Sequence, residues 1–260
     1  MHVELKRRAW LALLGALALG GTARAGTDPQ ALLAASDAVR NPAHGFGLTN
    51  TLIEYRQGKQ TDSNALAVYS KADASGQFRS LVRFLAPARD AGKLMLYSGR
   101  DLWFYDPANR ASIRLSPQQR LLGQASNGDV VTVNLARDYQ AVEATEEEVS
   151  DGDRQPRRAW RLSLSARNSD ASYHRILLWI SVEGMRPLKA QFLAESGALL
   201  KTAFYRRYQK QLGAERPTET VIIDGLDPSW VTIMRLSDWT RREVPEAWLQ
   251  RDYLPRFQPE

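Results

Sequence analysis

The side chains that most often do chemistry are scarce in this chain and poorly arranged for it. There is no cysteine and there are three histidines among 260 residues. Thiol nucleophiles, disulfides and cysteine metal centres are therefore excluded together. One histidine, His2, precedes the apolar N-terminal run, leaving His44 in a Pro-Ala-His-Gly-Phe-Gly run and His174 before an apolar segment. Neither shows the spacing of a metal site, such as HExxH or paired histidines with a near carboxylate. No GxSxG elbow is present, and Ser98-Gly99 lies at an expected hairpin tip, outside any strand-to-helix turn. Asp101, Asp106 and Asp129 are the carboxylates available as an acid–base pair, but turns select Asp for its hydrogen bonds to nearby backbone N–H groups. No glycine loop leads from a strand into a helix to cradle phosphate. The inventory points away from an enzyme and calls for neither cofactor nor metal; an envelope hydrolase is the least supported reading.

The elements that would position any site begin after an export signal. Lys6, Arg7 and Arg8 precede an apolar run from Ala9 to Leu19, and Ala23-Arg24-Ala25 offers a small-x-small cleavage site. The run is half of what a membrane span needs. Residues 1–25 are expected to be a cleaved signal peptide, with residues 26–260 a single domain in the periplasm that carries no lipid, since no cysteine is there to bear one. Trimming removes four cationic side chains and one acid, lowering the net charge from +6 to +3. The remaining basic clusters, Arg154/Arg157/Arg158, Arg206/Arg207/Lys210 and Arg241/Arg242, are short and lie among acids. That pattern fits solvated faces and transient membrane-surface contact, not the concentrated stripe of a nucleic-acid binder.

Gln30 to Val39 reads as a helix, capped by Thr27 or Asp28 and ended by Asn41-Pro42. From Gly47 onward the apolar residues alternate with period two. Strands are expected at 48–55, 65–70, 78–85, 93–97, 102–106 and 111–115, then at 159–166, 175–182, 187–195, 199–209, 218–224 and 231–236. A helical turn is expected at 117–123, a lid segment at 130–139, and a short helix at 245–253. Pairing Tyr97 with Leu102 across Ser98–Asp101 places Leu94, Leu96, Trp103 and Tyr105 on one face. Met95, Tyr97, Leu102 and Phe104 take the other. Both faces are apolar, whereas an antiparallel sheet commonly keeps one face wet. Such a sheet needs a second sheet, a helix or a ligand against it.

Several runs occur in a recognisable order: Arg83-Phe84-Leu85-Ala86-Pro87, Gly92-Lys93-Leu94-Met95-Leu96, Leu102-Trp103-Phe104-Tyr105-Asp106-Pro107 and Ser112-Ile113-Arg114-Leu115-Ser116. With Met185-Arg186-Pro187-Leu188-Lys189, Gly197-Ala198-Leu199-Leu200-Lys201 and Val231 to Trp239 before Pro245, the chain resembles the outer-membrane lipoprotein-sorting family. These are the LolA-like and LolB-like periplasmic carriers, in particular their larger branch. Gly123-Gln124-Ala125-Ser126-Asn127-Gly128-Asp129 stands where that branch usually has Gly-Ser-Asp-Phe-Ser and an acidic-Leu element.

The resemblance implies a mainly β fold: a large curved antiparallel sheet forming an open, unclosed β-barrel with a helical lid. Acyl chains of a lipid or lipoprotein would lie between sheet and lid. The implied function is a carrier, or lipoprotein chaperone, moving such cargo between the inner and outer membranes. The alternative is a lipid-binding sensor or accessory module of an export complex. An inner-membrane exporter of the resistance-nodulation-division (RND) type is the implied membrane partner. The residues expected to line the cavity are Val82, Phe84, Leu94, Leu96, Trp103, Tyr105, Leu178, Ile180 and Phe192, with Arg83 and Arg114 at its rim; the opposite face, with Met95 and Phe104, is the competing lining.

Overall fold

The computed structural model describes residues 28–258, so the predicted signal peptide lies outside the described residues. A helix, α1 (Pro29–Arg40), opens the described chain, with the Asp28 carboxylate accepting from Gln30 N at its N-cap. Six strands follow: β1 (Phe46–Arg56), β2 (Lys59–Ala72), β3 (Phe78–Ala86), β4 (Leu94–Ser98), β5 (Asp101–Asp106) and β6 (Ala111–Leu115). The chain then leaves the sheet through a short ribbon, β7 (Arg120–Leu122) and β8 (Ala125–Ser126), a 3₁₀ turn, Asn127–Asp129, and one α-helical turn, α2 (Leu135–Asp138). It returns as β9 (Tyr139–Ser150), β10 (Pro156–Ala166), β11 (Arg175–Ser181), β12 (Pro187–Leu193), β13 (Leu199–Gln211), β14 (Ala214–Asp224) and β15 (Trp230–Arg241).

Thirteen strands form one sheet in the order β6-β5-β4-β3-β2-β1-β15-β14-β13-β12-β11-β10-β9. Every described pairing in it is antiparallel, and β15 returns to pair with β1. The meander is thus joined at its middle and open at β6 and β9. Segment 116–138 runs from one open edge to the other across the concave side, as a strap. There Leu122, Ala125, Val130, Val131 and Leu135 enter the main core with Leu52, Val68, Val82, Leu162, Leu178 and Ile222 of the sheet. Among the described residues no helix is long and apolar enough to cross a membrane.

Both faces are covered, as the two-sided apolar pattern required. On the convex side the C-terminal segment forms two 3₁₀ helices, Glu246–Leu249 and Arg251–Arg256. Its Trp248, Leu249 and Leu254 bury Leu81, Leu94, Leu96 and Tyr105, each fully buried aliphatic side chain stabilising by roughly 1.5–3 kcal/mol. Glu246 fastens this segment by accepting from Arg79 and Lys71. A smaller convex cluster joins Ala159, Trp179 and Leu188.

Three local expectations change. The hairpin after β4 turns on two residues, Gly99-Arg100, because Ser98 and Asp101 already pair. Residues 117–123 form a non-helical turn that leads into the ribbon strand Arg120–Leu122 where a helical turn is expected, and the C-terminal helix is two 3₁₀ helices. The strap as a whole is mainly extended, with a single α-helical turn. Its Val130-Val131-Thr132-Val133 run restricts χ1 and suits extended backbone, and Gly123, at φ 55°, turns the ribbon. A Cβ on Gly123 would stand 2.3 Å from the Thr232 hydroxyl. Gly123→Ala is therefore expected to lower stability by at least about 1 kcal/mol, read from denaturant midpoints; an unchanged midpoint would show that the ribbon does not sit against β15.

Candidate functional site

Between the concave face and the strap lies a cavity of about 380 Å³, within the range of small-molecule sites. Alternation along five neighbouring strands makes its deep wall: Ile176 and Leu178 from β11, Phe192 from β12, Ala203 from β13, Ile222 from β14 and Met234 from β15. Val131, Val133 and Leu135 of the strap close the other side. The mouth is charged, with Arg40, Arg100 and Arg137 interspersed with Asp73, Asp138 and Asp170.

The strap is held by polar contacts buried within this apolar surround. Lys201, on β13 and 4% exposed, donates to Gln124 O at 2.9 Å and to the Asp129 carboxylate. Asp129 also accepts from the Tyr173 hydroxyl at 2.9 Å, from Ser126 N at 2.7 Å and from Ser126 Oγ at 3.0 Å. The Lys201 ammonium lies 4.9 Å from the Tyr173 ring centre and 5.3 Å from that of Phe192, cation–π positions. Burial lowers the Lys201 pKa against the pull of Asp129, and burial raises that of the Tyr173 phenol well above its usual value. Nearby, Gln124 N donates to Thr232 Oγ1 at 2.8 Å, and Thr132 N donates to Ser80 Oγ at 3.1 Å. The strap is thus tied to β3, β13 and β15.

Ser126, Tyr173 and Lys201 together resemble the side-chain types of a nucleophile with its base. Ser126 and Lys201 are almost fully enclosed and do not line the cavity, whereas Asp129 and Tyr173 do; the contacts of this cluster fasten the strap. Asp129, one of the three carboxylates of catalytic interest, belongs to this fastening. The other two are engaged elsewhere: Asp101 pairs with Arg114 at 2.7 Å, and Asp106 accepts from Ala108 N in a turn.

At the mouth, α1 and the strap share carboxylates. Asp37 accepts from Ala136 N at 2.7 Å and from Arg40 at 2.7 Å, and burial lifts its carboxyl above the usual range despite that arginine. Asp138 accepts from Gln77 Nε2 at 2.6 Å and is pushed up to about 6. Burial is the main cause, Asp37 adds to it, and Gln77, Arg40 and Arg100 oppose it.

Of the nine residues expected to line the cavity, Leu178 and Phe192 do so. Val82, Phe84 and Ile180 face the same side and pack in the core around it. Leu94, Leu96, Trp103 and Tyr105 face the other way, into the layer under the C-terminal segment. The reason is register: Val82 pairs with Met95 and Arg83 with Leu94, so the competing set with Met95 and Phe104 shares the face of Val82. A one-residue change in pairing exchanges the faces, and nothing within β4 or β5 reports which pairing holds. Neither Arg83 nor Arg114 lines the cavity. Lys201 and Tyr173 escaped the sequence reading, because each lies in an ordinary strand or loop context; the charged mouth escaped it too.

Two outcomes follow from this geometry. Removing one partner of a buried ion pair leaves the other uncompensated, so Lys201→Met is expected to cost about 3–5 kcal/mol, and Asp129→Asn with Lys201→Met to recover much of it; a single-variant loss under about 1 kcal/mol in denaturant melts would contradict a fastening role. Asp138 binds its proton more tightly folded than unfolded, so it contributes stability that is present below its unfolded value near 3.8 and lost as pH rises through about 6. The stability of Asp138→Asn relative to the parent should therefore increase between pH 4 and pH 7; parallel profiles would refute it.

A family model described only as an uncharacterized protein matches residues 76–256. No curated protein matches the chain. Among solved structures, a LolA superfamily protein from Nitrosomonas europaea is 31% identical, covering 87% of this chain and 99% of its own, with a TM-score of 0.78. A putative outer membrane lipoprotein-sorting protein domain from Vibrio parahaemolyticus (18% identity, 88% and 98% coverage, TM-score 0.72) shares the fold. So does a DUF1329 family protein from Desulfovibrio piger (22% identity, 88% and 100% coverage, TM-score 0.73). With that identity sustained over nearly the whole of the Nitrosomonas protein, and the fold in common, the chain belongs to the LolA superfamily.

Proposed function

We propose that this protein is an exported carrier, with residues 26–260 acting as one periplasmic domain. It holds the acyl chains of a lipid or lipoprotein between the concave sheet and the strap and moves them between the inner and outer membranes. The observation that carries the reading is the cavity itself: its deep wall is mainly apolar on five adjacent strands, and its charged lining residues stand at the mouth except for Asp129, which is paired with Lys201. Each methylene taken from water into such a wall contributes about 0.8 kcal/mol, so an acyl chain of ordinary length is held without any specific polar contact. The arginines and aspartates at the mouth suit a head group that stays hydrated.

Carriage also requires release. The strap is fastened by a buried ion pair, whose net contribution is small because desolvation offsets attraction. Its closed position therefore competes with cargo instead of trapping it, and a membrane that binds the cargo more tightly draws it out. The membrane partner implied by the sequence resemblance is an exporter of the RND type.

The test is native mass spectrometry on protein purified from the periplasm, followed by incubation with acceptor vesicles. A lipid-sized mass adduct that passes to the vesicles is the expected result. A protein that emerges empty, and stays empty when offered acylated peptides, would remove the reading; cargo that binds but never transfers would favour a sensor over a carrier.

A further inference from the structure

Tyr205, Thr220 and Met234 line the cavity. Their chain neighbours Arg206, Glu219 and Arg235 therefore face the convex side, because successive strand residues alternate. These three form a row across β13, β14 and β15, with Glu219 paired to Arg206 on one side and to Arg235 on the other. The Glu219 side chain is 2% exposed, and three guanidiniums stand at ion-pair distance from its carboxylate. Arg206 Nε lies at 2.8 Å, Arg207 Nε at 3.2 Å and Arg235 Nε at 3.0 Å. One cation would suffice to neutralise it.

In a regular strand Arg206 and Arg207 would point to opposite faces, yet both reach the same oxygen of Glu219. The cause is the backbone. Arg207 has φ 54° within β13, a left-handed conformation uncommon outside glycine and concentrated at functional sites. Its carbonyl is pinned by the Thr218 hydroxyl, which donates to it at 2.6 Å. Arg206 is engaged on its other side: Nη1 donates to Gly152 O at 3.2 Å in the β9–β10 turn, and the Asp153 carboxylate stands 3.7 Å away. Arg207 and Arg235 are not so engaged. Among the described residues Glu219 is the one carboxylate at ion-pair distance from either, and their side chains are 57% and 48% exposed. Each turns its Nε edge to the buried carboxylate and leaves the rest of its fork to solvent.

We infer that Arg207 and Arg235 form an anion site on the convex face, shaped for a phosphate group. Two forks held against one carboxylate are spaced for a second oxyanion of similar width, and the guanidinium fork matches phosphate geometry. A further carboxylate would bring one charge, which a single guanidinium meets. A phosphate monoester brings three acceptor oxygens and a charge of about −1.5 to −2, enough for both. Glu219 does not repel it strongly, being buried beneath the arginines and already matched by three of them. The site lies on the face opposite the cavity, so it goes beyond the acyl-carrier reading and does not depend on it.

The experiment titrates the purified mature protein calorimetrically with inorganic phosphate and with glycerol 3-phosphate. In parallel the protein is sedimented with phosphatidylcholine vesicles that contain or lack phosphatidate, which separates a lipid phosphate from a soluble one. Binding to at least one phosphate probe is expected. Arg207→Gln and Arg235→Gln should each weaken it about tenfold, whereas Arg110→Gln, in the exposed turn between β5 and β6, should leave it unchanged. Melting curves establish that each variant is folded; Arg207→Gln, at the more exposed of the two positions, is decisive if Arg235→Gln does not fold. Absence of binding to every phosphate probe overturns the inference. So does binding that Arg207→Gln leaves intact, or an equal loss in Arg110→Gln, which would mark the effect as general surface charge.

Discussion

Lys201 and Asp129 are 72 residues apart in sequence and meet where the strap crosses the sheet. Neither belongs in an apolar interior alone, and each is acceptable there only because the other, with Tyr173, Ser126 and the Gln124 carbonyl, satisfies its hydrogen bonds. The geometry of the concave side follows from this contact. It sets the height of the strap above β13, and therefore the depth of the cavity beneath it. A hydrophobic pair at these positions would pack as well or better, but it would leave the strap free to slide over an apolar floor. The directional bonds of a charged pair specify one position.

The second constraint is the unclosed sheet. Thirteen strands curl without pairing β6 to β9, and the chain itself bridges that gap through segment 116–138. An open concave surface of this size would expose an apolar face to water. The strap and α1 cover it incompletely, and what they leave is the cavity. The convex face is treated differently: the C-terminal 3₁₀ helices seal Leu81, Leu94 and Leu96 completely. One face is thereby sealed and the other left hollow, although the residues on the two faces of β4 and β5 are chemically alike.

The mouth carries a different kind of chemistry. Asp37 and Asp138 sit where α1, the strap and β9 converge, and burial raises both carboxyls. Their protonation is coupled to how tightly α1 and the strap are packed, which ties the entrance of the cavity to acidity without involving its apolar floor.

Much of the architecture was legible in the sequence because it depends on local rules. Period-two alternation marked the strands, Gln57-Gly58 with positive φ at both residues made the first hairpin, and Asp28 capped α1. Tyr97 pairs with Leu102 as the alternation required, and the double-sided apolar pattern demanded covers that the structure supplies. What the sequence could not decide was which apolar face of β4 and β5 looks inward. That choice is made by the pairing of Val82 with Met95 across the 87–93 loop, and a shift of one residue would reverse it. The fastening of the strap was equally hidden, because Lys201 lies in an ordinary strand and Asp129 in an ordinary turn. Their partnership is non-local, and only folding brings them within reach. Composition and periodicity determined that this chain is a β sheet with apolar side chains on both faces; register and one buried ion pair, both properties of the folded state, decided where it is hollow.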